Sequence, residues 1–149
     1  MVKRNVTDPI ELAPGREARG RLLAGLRRGA GWLHLALALA IVLAVFVQVY
    51  LSGAYIFGAG QGALDAHRTV GLSAHGLEVL IFIAALVAWL PRRNLTLSAL
   101  LAVIGTTQVA LASGQRWVGG LHPLLALVVL TLAATLVRAH RRESRQEET

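Results

Sequence analysis

Residues 31–53 read GWLHLALALAIVLAVFVQVYLSG, a run without a single Lys, Arg, Asp or Glu. A helix needs about 20 such residues to cross roughly 30 Å of hydrocarbon. Three further apolar runs follow, at residues 66–90, 95–112 and 118–137. Because irregular backbone cannot face lipid, and because the alternation of a barrel strand is missing, the four runs predict four membrane-spanning helices.

The composition of the whole chain agrees with a membrane protein. Of the 149 residues 55% are apolar and only 15% are charged, against roughly 25% in ordinary soluble domains. A soluble protein of this composition would expose large apolar patches and aggregate. Cysteine is absent, which excludes disulfides, thiolate metal sites, iron–sulfur clusters and covalently attached haem.

Short polar segments separate the four apolar runs. They comprise a glycine-rich loop at residues 57–62, a turn at residues 91–94 and a break at residues 113–116. Loops this short place consecutive helices side by side and antiparallel. The predicted fold is therefore all-α, an integral membrane four-helix up-down bundle over residues 30–138.

The positive charges predict the orientation of this bundle. Thirteen of the 15 Lys and Arg residues lie before the first run, in the second loop or after the fourth run. Only Arg68 and Arg116 lie on the opposite side, so the positive-inside rule makes both termini cytoplasmic. Residues 1–29 form a basic cytoplasmic segment and residues 139–149 a cytoplasmic tail. This distribution explains the net charge of +7 without nucleic acid and predicts a multi-pass protein of the cytoplasmic membrane.

The basic segment contains one stretch with two interpretations. Leu22, Leu23 and Leu26 lie among arginines within residues 19–28. Such a stretch forms either a short amphipathic helix on the anionic inner leaflet or a disordered flank of the first span.

The first and third runs end alike, which suggests an internal repeat. The segment from Gln48 to Gly53 resembles residues 108–114 with one residue inserted, and His67 and His122 follow near the start of the next run. The pattern predicts two parallel two-helix repeats, related by a pseudo-two-fold axis along the membrane normal.

His67 and His122 are the most informative polar residues within the spans. Ionisable residues inside a membrane usually face the bundle interior and mark a functional site. The two histidines lie near the outer ends of helices that run in the same direction, so they can face each other across the bundle. Such a pair of imidazoles can ligate haem iron, and without cysteine the haem would be non-covalent haem b. The alternative for each histidine is an ordinary hydrogen bond between helices.

Other residues at the same level would complete this site. Arg68 and Arg116 would pair with haem propionates, or extend to the interface. Gln48 and Gln108 would hydrogen-bond the ligands, or simply bridge helices. Room for a flat macrocycle, or for close helix packing, would come from small residues: Gly71, Ser73, Ala74, Gly76, Gly105, Gly119, Gly120 and Ala126.

Four more ionisable residues have weaker interpretations. His75 lies about 12 Å deeper than His67 along the helix. It is either an alternative ligand of the haem iron or not a ligand. Glu78, one turn from His75, forms with it either a proton-handling or quinone-contacting pair or a buried hydrogen bond that fixes packing. His34 is expected at the inner interface, with a second haem as the alternative role. His140 is expected to be solvated in the basic tail.

Several of these residues together carry a resemblance to a known family. Over about residues 45–135 the chain resembles one four-helix half of the heme A synthase family, and also small cytochrome b-like four-helix membrane proteins of high-GC bacteria. The single Lys against 14 Arg fits such a genome. The matching residues are Gln48, Gly53, His67, Arg68, Gln108 and His122.

The resemblance implies a haem between the second and fourth helices, near the outer face and held by His67 and His122. Two departures limit it. The synthase has eight spans, and its glutamate three residues before the histidine of the second helix is Leu64 in this chain. Asp65 lies only two residues before His67 and therefore on another side of the helix. The resemblance therefore does not imply that this chain has the activity of the synthase, the oxidation of a haem methyl group.

Three functions follow as expectations. The first is a b-type haem protein that transfers electrons rather than catalyses a reaction, because an iron with two axial histidines has no free site. Its partners would be quinone or a membrane oxidoreductase in the lipid bilayer, and it could form a homo-oligomer. The second is a cofactor-free accessory or structural membrane protein. The third is a small proton- or metal-coupled transporter subunit that uses His75 and Glu78.

Overall fold

The computed structural model describes residues 14–112 and 119–147, with side chains described up to residue 142. This part of the chain forms four helices, and each is long and apolar enough to cross a membrane. The prediction of an all-helical protein with four candidate spans is confirmed at that level. The helices are α1 (Pro14–Ile56), α2 (Gln61–Ala88), α3 (Arg92–Ala112) and α4 (His122–Glu147).

Helix α1 is much longer than the predicted first span. Its 43 residues extend about 65 Å, roughly twice the thickness of the hydrocarbon core. The basic stretch of residues 19–28 is therefore neither a separate helix nor a disordered flank, because it continues α1 without a break. Leu22, Leu23 and Leu26 are exposed there, and Arg21 pairs with Glu17 one turn away, at 3.5 Å.

The connections set the other helix ends. Between α1 and α2, Gly58 and Gly60 adopt φ values of 94° and 79°, which glycine tolerates because it has no Cβ.

Helix α2 ends at Trp89, whose backbone adopts the left-handed conformation. The Arg27 guanidinium lies 5.0 Å from the centre of the Trp89 ring. The sequence predicted a turn over residues 91–94, but only Pro91 lies outside a helix, so the prediction is wrong for residues 92–94. Helix α3 begins at Arg92, directly after Pro91, because proline suits the start of a helix.

Each helix packs against two neighbours, so the four helices form a ring in the order α1, α2, α3, α4. The two ends of this ring differ in their residues. At one end, the Trp32 end, α1 meets α4 through Trp32 and His140. At the other, the His67 end, α2 meets α4 through His67 and His122.

The buried side chains lie in only one half of the bundle, next to the Trp32 end. This packed half comprises residues 34–45, 78–88, 94–105 and 129–139 of the four helices. In the open half, which comprises residues 46–56, 61–77, 106–112 and 122–128, none of the described side chains is buried. The apolar core of the packed half consists of Leu37, Ala38, Ile41, Val45, Ile81, Ala84, Ala85, Ala88, Leu101, Val129, Ala133, Leu136 and Ala139.

His34 belongs to this core and is buried between helices α1 and α3. The side chain is only 2% exposed, and its Nε2 lies 2.9 Å from the Ser98 hydroxyl. Ser98 donates its single hydroxyl proton to the backbone carbonyl of Asn94, at 2.9 Å. His34 Nε2 is therefore the donor to Ser98, and this nitrogen is not free to ligate a second haem.

The prediction of a solvated His140 is also wrong. The residue lies within α4, its side chain is half-buried, and its ring packs edge-to-face on Trp32 with centroids 5.4 Å apart. The helix continues well past the predicted end of the fourth span at residue 137, and this extension holds His140 against α1.

We expect Ser98→Ala to lower the free energy of unfolding by about 1–2 kcal/mol, because it leaves the buried His34 donor without an acceptor. Denaturant titration in detergent micelles measures this change. The matched control is Thr106→Ala on the same helix, since the exposed Thr106 hydroxyl bonds only to the Ala102 carbonyl one turn away. An equal loss in both variants would show that the hydrogen bond to His34 contributes nothing.

Candidate functional site

The open half of the bundle contains a partly open cavity of about 720 Å³. Known small-molecule and cofactor sites span about 300–1,000 Å³, so its size suits such a ligand. All four helices line it, mostly with apolar side chains. The predicted ligands and their predicted polar neighbours within the described residues lie on its wall: Gln48, His67, Arg68, His75, Glu78, Gln108 and His122.

His67 and His122 are brought together inside this cavity. Their ring centroids are 6.1 Å apart and their ring planes meet at 67°. Helices α2 and α4, which carry them, occupy opposite corners of the ring. The sequence-based expectation that the two imidazoles can face each other across the bundle agrees with this geometry.

One ring nitrogen of His67 is oriented by the backbone. Its Nδ1 lies 3.2 Å from the Gln48 carbonyl, which can only accept, so Nδ1 carries the proton. The Nε2 atom then keeps its lone pair. A histidine whose Nδ1–H is held by a carbonyl while Nε2 is free has the usual arrangement of a metal ligand.

His122 occupies the corresponding position in the second half of the chain. Its ring lies beside the backbone of Gln108, as the ring of His67 lies beside that of Gln48. The Nδ1 of His122 is buried and makes no hydrogen bond of good geometry within the described residues. The two Gln–His pairs fit the repeat that the sequence suggested.

Gln48 contributes a second unsatisfied polar atom on the cavity wall. Its side-chain amide packs over Gly71, where a Cβ would collide with the amide nitrogen. Its Oε1 is buried and has no hydrogen-bond partner in the described part of the chain. Buried polar atoms without partners are rare, and each calls for a ligand, a water or an ion.

His75 and Glu78 form a separate pair at the floor of the cavity, where the packed half begins. Glu78 is only 4% exposed, and its Oε2 shares a long hydrogen bond of 3.4 Å with His75 Nδ1. The carboxylate lies over Gly105, where any Cβ would collide with it. The structure thus joins His75 to Glu78 and His122 to His67, which favours His67 over His75 as the partner of His122.

We expect Gly105→Ala to lower the free energy of unfolding by about 1–3 kcal/mol, because the new methyl group must displace the buried carboxylate of Glu78. Thermal unfolding in detergent measures this effect. Gly76→Ala is the matched control, since nothing lies within 4 Å of the added Cβ and alanine favours the helix. A Gly105→Ala protein as stable as the control would show that Glu78 is free to move.

The remaining predicted residues have different surroundings. Arg68 lies on the cavity wall with a mostly exposed side chain, and its guanidinium is 3.2 Å from Asp65. Arg116 lies outside the described residues. Of the predicted small residues, Gly71, Ala74, Gly105 and Ala126 line the cavity. Ser73 instead is exposed and donates to the Thr69 carbonyl.

Sequence reasoning missed the partner of His34. Ser98 contacts His34 and donates to the backbone carbonyl of Asn94, which lies one turn before it on α3. That spacing was the available signal, because two polar residues on one helix face need a partner inside a membrane.

Among the described side chains, at residues 15–112 and 119–142, no three His, Asp or Glu residues converge on one point. No protein-family model, curated protein or solved structure matches the chain. Fold and site together define a class, a multi-pass helical membrane protein with a large histidine-lined cavity in one half of its bundle.

Proposed function

We propose that this protein binds one non-covalent haem b in the open half of the bundle, with His67 and His122 as the two axial ligands. A single observation carries the proposal. The two imidazoles face each other inside a cavity of about 720 Å³, while the rest of the bundle is packed. Helical bundles rarely leave such a volume empty, since protein interiors are close-packed.

The donor set suits haem iron. A metal–imidazole bond is about 2 Å long, so two rings that share one metal have centroids roughly 6 Å apart, and the observed separation is 6.1 Å. Two protein ligands suffice because the porphyrin supplies the other four. When bound, the haem would supply a one-electron redox centre.

The walls of the cavity suit the rest of the macrocycle. Ala74 and Ala126 leave space beside the ligands. Arg68 would pair with a propionate by exchanging its exposed contact to Asp65, which costs little because exposed ion pairs are weak. The Oε1 of Gln48, which has no partner among the described residues, would accept a hydrogen bond from water ordered beside the bound group.

Electron transfer is the activity that this site favours. An iron with two histidine ligands has no open position for a substrate, and Leu64 stands where heme A synthase carries glutamate. The haem would exchange electrons with quinone or with a membrane oxidoreductase docked on the bundle. A homo-oligomer of this chain is also compatible with electron transfer.

The charges support a placement in the membrane. If the helices alternate in direction around the ring, the basic residues near the start of α1 and near the end of α4 lie at the Trp32 end, which the positive-inside rule would put in the cytoplasm. The His67 end would then lie at the outer face of a bacterial cytoplasmic membrane. Contacts of Trp32 with His140 and of His67 with His122 support this up-down arrangement.

An absorption spectrum tests the function. Protein expressed with an ample haem supply and purified in detergent is expected to show the Soret band and the sharp reduced bands of six-coordinate, low-spin haem. A colourless protein that takes up no haem on titration overturns the proposal. That result would instead support a cofactor-free accessory protein.

The transporter alternative has one observation in its favour, the His75–Glu78 pair on the cavity floor. The core of the packed half lies directly beyond that pair and blocks a route through the bundle. The structure therefore supports a transporter less than a haem protein.

A further inference from the structure

The His75–Glu78 pair is the one buried ionisable group of the cavity that haem ligation does not use. The ionisable side chains on the described cavity wall are His67, Arg68, His75 and Glu78 of α2 and His122 of α4, and α1 and α3 contribute none. Glu78 therefore faces a histidine on its own helix, an uncharged glycine on α3 and apolar residues of α1 and α4.

Two groups with one proton between them form a proton-binding site. The pair is uncharged overall with one proton, whether as an ion pair or as neutral acid and imidazole, and it carries a negative charge without it. Inside a membrane the uncharged form is favoured, since an isolated charge is costly there. The 3.4 Å contact allows the proton to reside on either partner.

The cavity extends from this site toward one end of the bundle, the His67 end. His75 and Glu78 share a continuous wall with Gly53, Ile56 and Arg68 at the His67 end. In the other direction lies one apolar cluster to which all four helices contribute. Its members Ile41, Ile81, Leu101 and Val129 are at most 1% exposed, and an apolar layer of this kind stays dry.

We propose that His75 and Glu78 together hold one exchangeable proton that enters and leaves only from the His67 end, and that proton binding is linked to haem reduction. The second part rests on the proposed function. Reduction adds one negative charge to the cavity, which favours the protonated pair, and by reciprocity proton binding favours reduction. The protein would then take up a proton through the His67 end when it accepts an electron from quinol or a membrane oxidoreductase.

The expected size of this linkage follows from the spacing. Glu78 is 11 residues from His67, about 16 Å along the helix. At that distance a unit charge changes proton affinity roughly three- to tenfold in a partly screened interior. A tenfold change corresponds to about 59 mV for a one-electron couple.

Infrared spectroscopy on the haem-free protein tests the proton site by itself. We expect a band that titrates with pH, from the protonated carboxyl of Glu78 or from the imidazolium of His75, and that disappears in Glu78→Gln and shifts but persists in Glu78→Asp. Glu17→Gln, which removes an exposed carboxylate of α1, should leave the band unchanged. Wild-type protein without a titrating band lost in Glu78→Gln overturns the proton site, whether or not the protein binds haem.

Redox titration of the haem-loaded protein tests the linkage. We expect the midpoint potential to fall as pH rises in the wild type, by up to about 59 mV in total, and to be much less pH-dependent in Glu78→Gln and His75→Asn. An equal pH dependence in wild type and both variants overturns the linkage and leaves haem binding intact. A protein that binds no haem overturns both the linkage and the proposed function.

Membrane vesicles test the direction of proton exchange. Right-side-out and inside-out vesicles from the expressing cells are poised at half reduction, and only the external pH is changed. We expect the haem spectrum to respond promptly in right-side-out vesicles and slowly in inside-out ones. A prompt response in both, absent in Glu78→Gln, overturns the one-sided route.

Discussion

His67→Ala and His122→Ala are each expected to abolish the low-spin haem spectrum. Altering a residue that merely supports a metal ligand commonly costs 10–100-fold in affinity, so loss of a ligand itself should reduce haem occupancy by more than about 100-fold. The measurement is the haem-to-protein ratio and the reduced spectrum after purification. Both variants should behave alike because the two rings face each other 6.1 Å apart.

Two histidine variants are matched controls for this experiment. His75→Asn alters the third histidine of the cavity, and His140→Ala removes the ring that packs on Trp32 at the other end of the bundle. Both are expected to keep low-spin haem. If His75→Asn loses haem while His67→Ala retains it, His75 is the ligand and the assignment of His67 is wrong.

Ala126→Phe is expected to prevent haem binding without altering either ligand. Ala126 lies on the cavity wall one turn from His122, so a phenyl ring there occupies space that the macrocycle needs. Overpacking costs about 1–3 kcal/mol, so haem affinity should fall about 5- to 150-fold by the conversion of 1.4 kcal/mol per factor of ten. The haem-free protein should be as stable as the wild type or more stable, because the ring partly fills a void.

Leu124→Phe provides the control for that variant. Leu124 lies on the same helix, 59% exposed, and is not part of the cavity wall. It should leave haem affinity unchanged, and haem titration of both purified variants measures the difference. Equal affinities in Ala126→Phe and Leu124→Phe would place the haem outside this cavity.

The sequence predicted the spans better than the helix ends. Each apolar run corresponds to a helix because a backbone in lipid must satisfy its own hydrogen bonds. The sequence did not predict that α1 starts at Pro14, because the change from apolar to basic residues at Gly29 ends the apolar run and not the helix. Arginine, leucine and alanine are good helix formers in water as well.

The candidate site was only partly readable from the sequence. Helical rise placed His67 and His122 at similar depths, since depth depends on residue counts along each helix. The contact between His34 and Ser98 was missed because 64 residues separate them, and no periodicity encodes which face of α3 meets α1.

The charge distribution and apolar runs by themselves determined a four-helix membrane protein, because lipid imposes the same length and polarity on every span whatever its neighbours. Only the tertiary structure decided that one half of the bundle is packed and the other hollow. That difference depends on how the side chains of the four helices fit together. Ile41, Ile81 and Leu101 are buried in one cluster, whereas Ala126 lies on the cavity wall. The tertiary structure also decided that His75 pairs with Glu78 while His67 faces His122, since contacts between helices depend on their rotation and separation, which no single helix specifies.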